Sequence, residues 1–260
     1  MVPLAIPRSL TLLLFIMCIG SASAQRLGDL LEKNASAYQE LKKQNIAADI
    51  IRHDLSVLFT KPSSEKVFGF IGNDYRRFHI RFISVIRNNS NPFEYFVYGK
   101  SMVKNNICDF QGTLTIANAY EWEVSDVPDL RRGVVMGTYR LFENPAQKHV
   151  GVFTGNFVCA WYIDKGGVLR YDDLEDVADE YSNFQFAGIW KSYSGTIVNP
   201  CHWGESRIPL AGDLDDGTGE FYPAEKYNEN GWTNYIDAYG GTAANSQAAR
   251  AKEREQWWKD

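Results

Sequence analysis

The amino-acid sequence predicts a mainly β protein: an antiparallel up-and-down barrel or strongly rolled sheet, with N-terminal helices and a C-terminal helix. Three observations carry this. From Val67 to Tyr193 apolar residues recur with a period of two. Short turn signals, Asn88 to Pro92, Asn105-Asn106 and Lys165-Gly166-Gly167, separate the runs with few helical patterns between them. One glycine falls in phase on the apolar side of run after run: Gly69, Gly99, Gly112, Gly137, Gly155 and Gly188. A glycine inside a strand removes packing, and its recurrence has a reason in sharp coiling, which lets a sheet curve until it closes.

The 260 residues are 45% hydrophobic and 14% aromatic, enough for a sizeable core and outside the collagen-like and disordered classes. A formal charge of −5 argues against a nucleic-acid footprint.

Residues 1–24 read as a signal peptide. Arg8 precedes an apolar run from Leu10 to Ile19, and Ala22-Ser23-Ala24 fits small-x-small cleavage before Gln25. Lipid attachment at Cys18 is disfavoured because Met17, not a small residue, precedes it. The run is too short to span a bilayer, and no later segment is long enough, so the expectation is an exported chain, periplasmic or secreted, that does not span the membrane.

The remainder, 25–260, reads as one β-rich domain. Its first part, 25–62, is helical. Leu27, Leu30, Leu31, Tyr38 and Leu41, then Ile46, Ile50, Ile51, Leu55, Leu58 and Phe59, recur at near-helical spacing up to Lys61-Pro62. The sheet occupies 66–194. A long aromatic loop of little periodicity follows over 195–241, and 242–260 forms a C-terminal helix with Thr242 as its cap and Trp257-Trp258 docked on the body. Three cysteines follow the signal. Cys108 and Cys159 alternate with core residues, and pairing among Cys108, Cys159 and Cys201 is left open.

Gly188-Ile189-Trp190 resembles the Gly-x-Trp element of the lipocalins, and Gly137-Thr138-Tyr139 and Gly155-Asn156-Phe157 are variants of it. The resemblance implies an up-and-down, calycin-type barrel with a small-molecule cavity. As a whole the chain is similar to exported bacterial β-rich proteins, a likeness that implies no activity.

Catalytic signatures are missing: there is no nucleophile elbow, zinc-protease helix, phosphate loop or dinucleotide fingerprint. His53, His79, His149 and His202 show no ligand spacing, and His79, between Arg77 and Arg81, reads as solvated surface. Calcium at Asp213, Asp215, Asp216 and Glu220 is weighed and disfavoured, because Gly217 stands where an EF-hand loop needs an oxygen-bearing side chain. No cofactor and no metal are therefore expected.

The predicted role is non-catalytic binding of a small amphipathic molecule or a glycan. Tyr and Trp offer flat apolar faces with a polar handle. Phe157, Trp161, Phe186 and Trp190 are the candidate core or cavity liners. Trp203, Arg207, Tyr227 and Trp232 are the candidate mouth residues, with Arg207 available to an anionic group. The alternatives are a glycan-acting hydrolase using loop carboxylates, and a structural subunit of a surface assembly that pairs through a sheet edge.

Overall fold

The computed structural model describes residues 41–62, 66–125, 127–175, 181–240 and 246–259. The predicted signal, residues 27–40 of the helix expected from Leu27 to Leu41, and the Thr242 cap lie outside them; Leu41 itself is not helical but forms a β-bridge with Trp122. The second helical pattern forms two short helices, α1 (Ala47–Ile50) and α2 (Ser56–Thr60). The break between them is held open by Asp54, whose side chain accepts the amide of Ser56. Pro62 follows the end of α2, as the sequence indicates.

Nine strands follow: β1 (Val67–Ile71), β2 (Arg76–Arg87), β3 (Glu94–Val103), β4 (Asn106–Glu121), β5 (Arg131–Glu143), β6 (Gly151–Ile163), β7 (Leu169–Tyr171), β8 (Phe184–Ser192) and β9 (Val198–Glu205). All pairings are antiparallel. Eight strands close in the order β1-β2-β3-β4-β5-β6-β8-β9-β1, and β7 pairs with the end of β6. This is an up-and-down barrel in which every wall strand has a neighbour on both sides.

The glycines close it as alternation predicts. Gly155 and Gly188 face each other across β6 and β8. A Cβ at Gly155 would meet the Ala187 carbonyl at 2.2 Å and Tyr139 Oη at 2.6 Å. At Gly188 it would meet the Thr154 carbonyl at 2.1 Å and the same Oη at 2.5 Å. Bare backbone on both strands thus lets the Tyr139 side chain cross the interior. Phe157 lies likewise over Gly137, Phe110 over Gly99 and Trp203 against Gly69.

The interior is filled. Trp203 stacks on Phe186 with ring centroids 4.9 Å apart, and Phe157 stacks on the other side of that cluster at 5.4 Å from Phe186. Phe78, Phe82, Phe110 and Phe153 complete a continuous aromatic core. The outer wall carries Arg77, Arg81, Lys100 and Arg140. The same outer wall also carries apolar side chains, Ile86, Phe96 and Phe142 exposed and Val134, Met136 and Val158 in a small outer cluster. No described helix is long and apolar enough to cross a membrane.

The helices plug one end. Phe59 of α2 meets Phe157 edge-on at 5.3 Å, and the Leu55 amide donates to Tyr95 Oη at 3.0 Å. The C-terminal part packs outside, against the outward faces of β1 and β2. Phe70 joins Ile208, Leu214, Phe221, Trp232 and Tyr235 in a second core, bounded by α3 (Thr233–Tyr239). The last helix, α4 (Ser246–Glu253), is shorter than predicted and is followed by a 3-10 turn at Trp257–Lys259.

Two expectations are corrected. The segment 195–241 is not one long loop: it contains β9, which closes the barrel, and α3. Pro200 and Gly204 mask the strand in the sequence. Pro200 sits just past the last β1 pair: its carbonyl accepts the Gly72 amide at 2.8 Å, and the reciprocal bond it cannot donate falls where the Gly72 carbonyl is taken by the Tyr75 amide of the β1–β2 turn at 3.2 Å. His79 is not solvated surface either. It faces outward, but Trp257 covers it at 6.0 Å, and burial pushes its imidazole down to about 3.

Candidate functional site

The end opposite the helices is open. Four hairpins meet there, β1–β2, β3–β4, β5–β6 and β8–β9, and the inward residues nearest their tips line a cleft of about 710 Å³. Ile71, Val103, Phe153 and Trp190 give it an apolar floor and wall. Asn73, Asp74, Arg76, Lys104, Asn106, His149 and Asn199 supply polar groups.

Glu143 organises the floor. It is the last inward residue of β5, in phase with Val135, Gly137, Tyr139 and Leu141, and only 4% of it is exposed. Its carboxylate accepts Ser101 Oγ of β3 at 2.6 Å, the Gly151 amide of β6 at 2.8 Å and Trp190 Nε1 of β8 at 2.8 Å. One side chain therefore ties three further strands together. It also fixes the Trp190 indole, which leaves a preset aromatic surface against the cleft. Burial raises the Glu143 carboxyl above the usual carboxylate range, although all three donors oppose the rise. Cys108, also in the lining, is pushed up to about 11 by burial, with Glu143 adding to it, so it is a thiol at neutral pH.

Two rim residues are held at a cost. Lys104 and Asn105 form the two-residue connection between β3 and β4, with Lys104 at φ +55°. His149, in the β5–β6 connection, has φ +56°. Positive φ at a residue with a side chain costs about 1–2 kcal/mol, and glycine avoids it. Tyr75, at φ +50° in the β1–β2 turn, packs on Phe70 and Tyr227, and its carbonyl accepts Trp232 Nε1. The side chains of Lys104 and His149 make no such contacts among the described residues.

The residues singled out in the sequence are scattered. Trp190 lines the cleft. Phe157, Trp161 and Phe186 are fully buried in the barrel core. Trp203, expected at the mouth, is an inward residue of β9 with no exposed surface, and Trp232 is equally enclosed in the outer core. Tyr227 lies beside that outer core. Arg207 donates to Asp215 at 2.6 Å and to the carbonyls of Gly217 and Gly219.

Arg207 thus occupies the centre of the acidic loop, and Asp215 also accepts the amides of Gly217 and Tyr222. Asp213 is engaged by Lys226 and Tyr227. None of Asp213, Asp215, Asp216 and Glu220 lines the mouth cleft. Among the described residues no group of three or more His, Cys, Asp or Glu is placed to hold a metal ion. Cys108, Cys159 and Cys201 are buried free thiols. Cys201 points into the core, whereas its neighbour His202 faces out and bonds the Pro209 carbonyl at 3.0 Å. Apart from Trp190, sequence reasoning missed the mouth residues, Glu143, Ser101, Lys104 and His149 among them; only the in-phase position of Glu143 on an apolar face marked one of these four.

No protein-family description, no curated protein and no solved structure matches this chain.

Proposed function

We propose that the chain is an exported, non-catalytic binding protein that takes a small amphipathic molecule into the open mouth of its barrel. One observation carries the reading: the cleft joins an apolar floor, Phe153 and Trp190, to a polar rim, at a volume within the range of about 300–1,000 Å³ usual for small-ligand sites. The aromatic packing below means that a ligand sits in the mouth, not in a deep central cavity. The Gly-x-Trp likeness supports the same reading at the level of barrel geometry, with Trp190 of that element in the lining. Export rests on residues 1–24 of the sequence.

The test is titration with N-phenyl-1-naphthylamine, an uncharged fluorescent amphiphile. Wild-type protein binds it with enhanced fluorescence, and Trp190→Ala weakens binding about tenfold or more, the scale of a lost aromatic contact. The control Trp122→Ala, at the opposite end of the barrel where Trp122 pairs with Leu41, leaves binding unchanged. A wild-type protein that gives no enhancement, or a Trp190→Ala variant that binds as wild type does, overturns the proposal.

A further inference from the structure

We infer that the amphiphile accepted by the mouth is an anion, its head group held at the rim by Lys104 and His149 while its apolar body rests on Phe153 and Trp190. This rests on the mouth being the binding site and adds the charge of the ligand.

Charge is unevenly answered around the cleft. Its lining holds two carboxylates, Asp74 and Glu143. Asp74 is already paired with Arg76 at 2.7 Å, and Glu143 lies beneath the cleft with its oxygens engaged by three donors. Neither presents an unanswered negative charge at the rim. Lys104 and His149 are exposed, line the cleft and make no side-chain hydrogen bond or ion pair among the described residues. A lysine ammonium and an imidazole N–H both donate to an anionic oxygen. The chain as a whole carries −5, so a rim with an unpaired lysine and no unanswered carboxylate runs against its average composition.

Backbone conformation gives an independent reason. Both residues occupy left-handed positions, at φ +55° and +56°. Neither side chain is used in packing, unlike that of Tyr75, so the strained positions are accounted for by what the side chains present to the cleft.

Isothermal titration with octanoate, octylammonium and 1-octanol, all as monomers, tests this. Octanoate is expected to bind at least about tenfold more tightly than the other two, and Lys104→Gly/His149→Gly to lower octanoate to the affinity of octanol for the same variant. Glycine suits both turns, so the variant folds. Equal affinity for the three probes, or an octanoate preference that survives the double substitution, overturns the anionic assignment and leaves the mouth as an amphiphile site. No binding of any probe overturns both. Adsorption to phosphatidylglycerol vesicles without octanoate binding assigns Lys104 and His149 to a membrane surface instead and also overturns the inference.

Discussion

Each end of the barrel carries a glutamate at an inward position near the end of a strand, and the two are put to different use. At the helical end, Glu205 of β9 accepts hydrogen bonds from the hydroxyls of Tyr171 and Tyr181. Beside it, Arg132 and Asp172 form a buried pair at 2.9 Å. Burial, with the Glu205 charge adding, raises both tyrosine hydroxyls well above their ordinary range. That network is sealed between plug and wall. At the mouth, Glu143 has comparable burial and more varied donors, but what lies above it is an open cleft. The same residue type closes a structure at one end and sets the floor of a site at the other. The difference lies in the helices that cover only one end.

The largest effect is expected in the filled middle that separates the ends. Trp203→Ala removes a fully buried ring that touches Phe186, Tyr139 and Phe78, and is expected to cost about 3–5 kcal/mol in chemical denaturation. Trp190→Ala enlarges a cleft that already opens to solvent, and is expected to cost less than half as much while weakening ligand binding. Equal costs would mean that the mouth is packed like the core and would break the contrast.

A similar loss is expected outside the barrel. Arg77 and Glu253 form a two-pronged ion pair, at 2.8 Å for one prong, with side chains only 9% and 8% exposed. Arg77 also lies over Trp232 at 5.2 Å and Tyr235 at 5.6 Å. Removing one partner from such a pair leaves a buried charge, so Glu253→Ala is expected to cost about 3 kcal/mol. It should also release α4 to limited proteolysis without changing binding at the mouth.

These contrasts show which parts were legible in the sequence. Alternation placed Phe78, Phe110, Phe157 and Phe186 inside, and in-phase glycines gave the curvature, because both signals are local and repeat along every strand. β9 escaped because Pro200 and Gly204 interrupt its pattern and its inward series, Cys201, Trp203, Glu205, ends in a charge. Aromatic character alone suggested a mouth at Trp203 and Trp232, yet it does not distinguish a ring that faces solvent from one buried between layers. The cleft itself has no local signature. Ile71, Ser101, Glu143 and Trp190 come from separate hairpins and meet only when the ring closes.

An intermediate effect tests the floor. Glu143→Gln keeps the shape and removes the charge, and is expected to change stability by about 1 kcal/mol. The sign depends on pH. Because the folded carboxyl is raised, the native state holds its proton longer than the unfolded chain does. Wild-type stability from this group is therefore full below the unfolded value, about 4.3, and is lost as pH rises through the raised folded value. The variant lacks that loss, so the wild-type advantage in thermal midpoint should shrink with rising pH across this window. An advantage that grows with pH would show that the three donors outweigh burial and would remove the tension at the floor.

The smallest effect is the sharpest on the rim. Lys104→Gly relieves a positive φ worth about 1–2 kcal/mol, less about 0.5–1 kcal/mol for the freedom glycine gains when unfolded. A net gain of about 0.5 kcal/mol is expected, seen as a small rise in Tm, and His149→Gly should behave alike. Asp129, at φ +65° in the β4–β5 connection near the plugged end, supplies the control. Asp129→Gly should stabilise by a similar amount and leave octanoate binding untouched, whereas the mouth substitutions should gain stability and lose octanoate together. A rise in Tm with no loss of binding at Lys104 would make the two ends equivalent in this respect, and the strained turns of the mouth would then be ordinary turns.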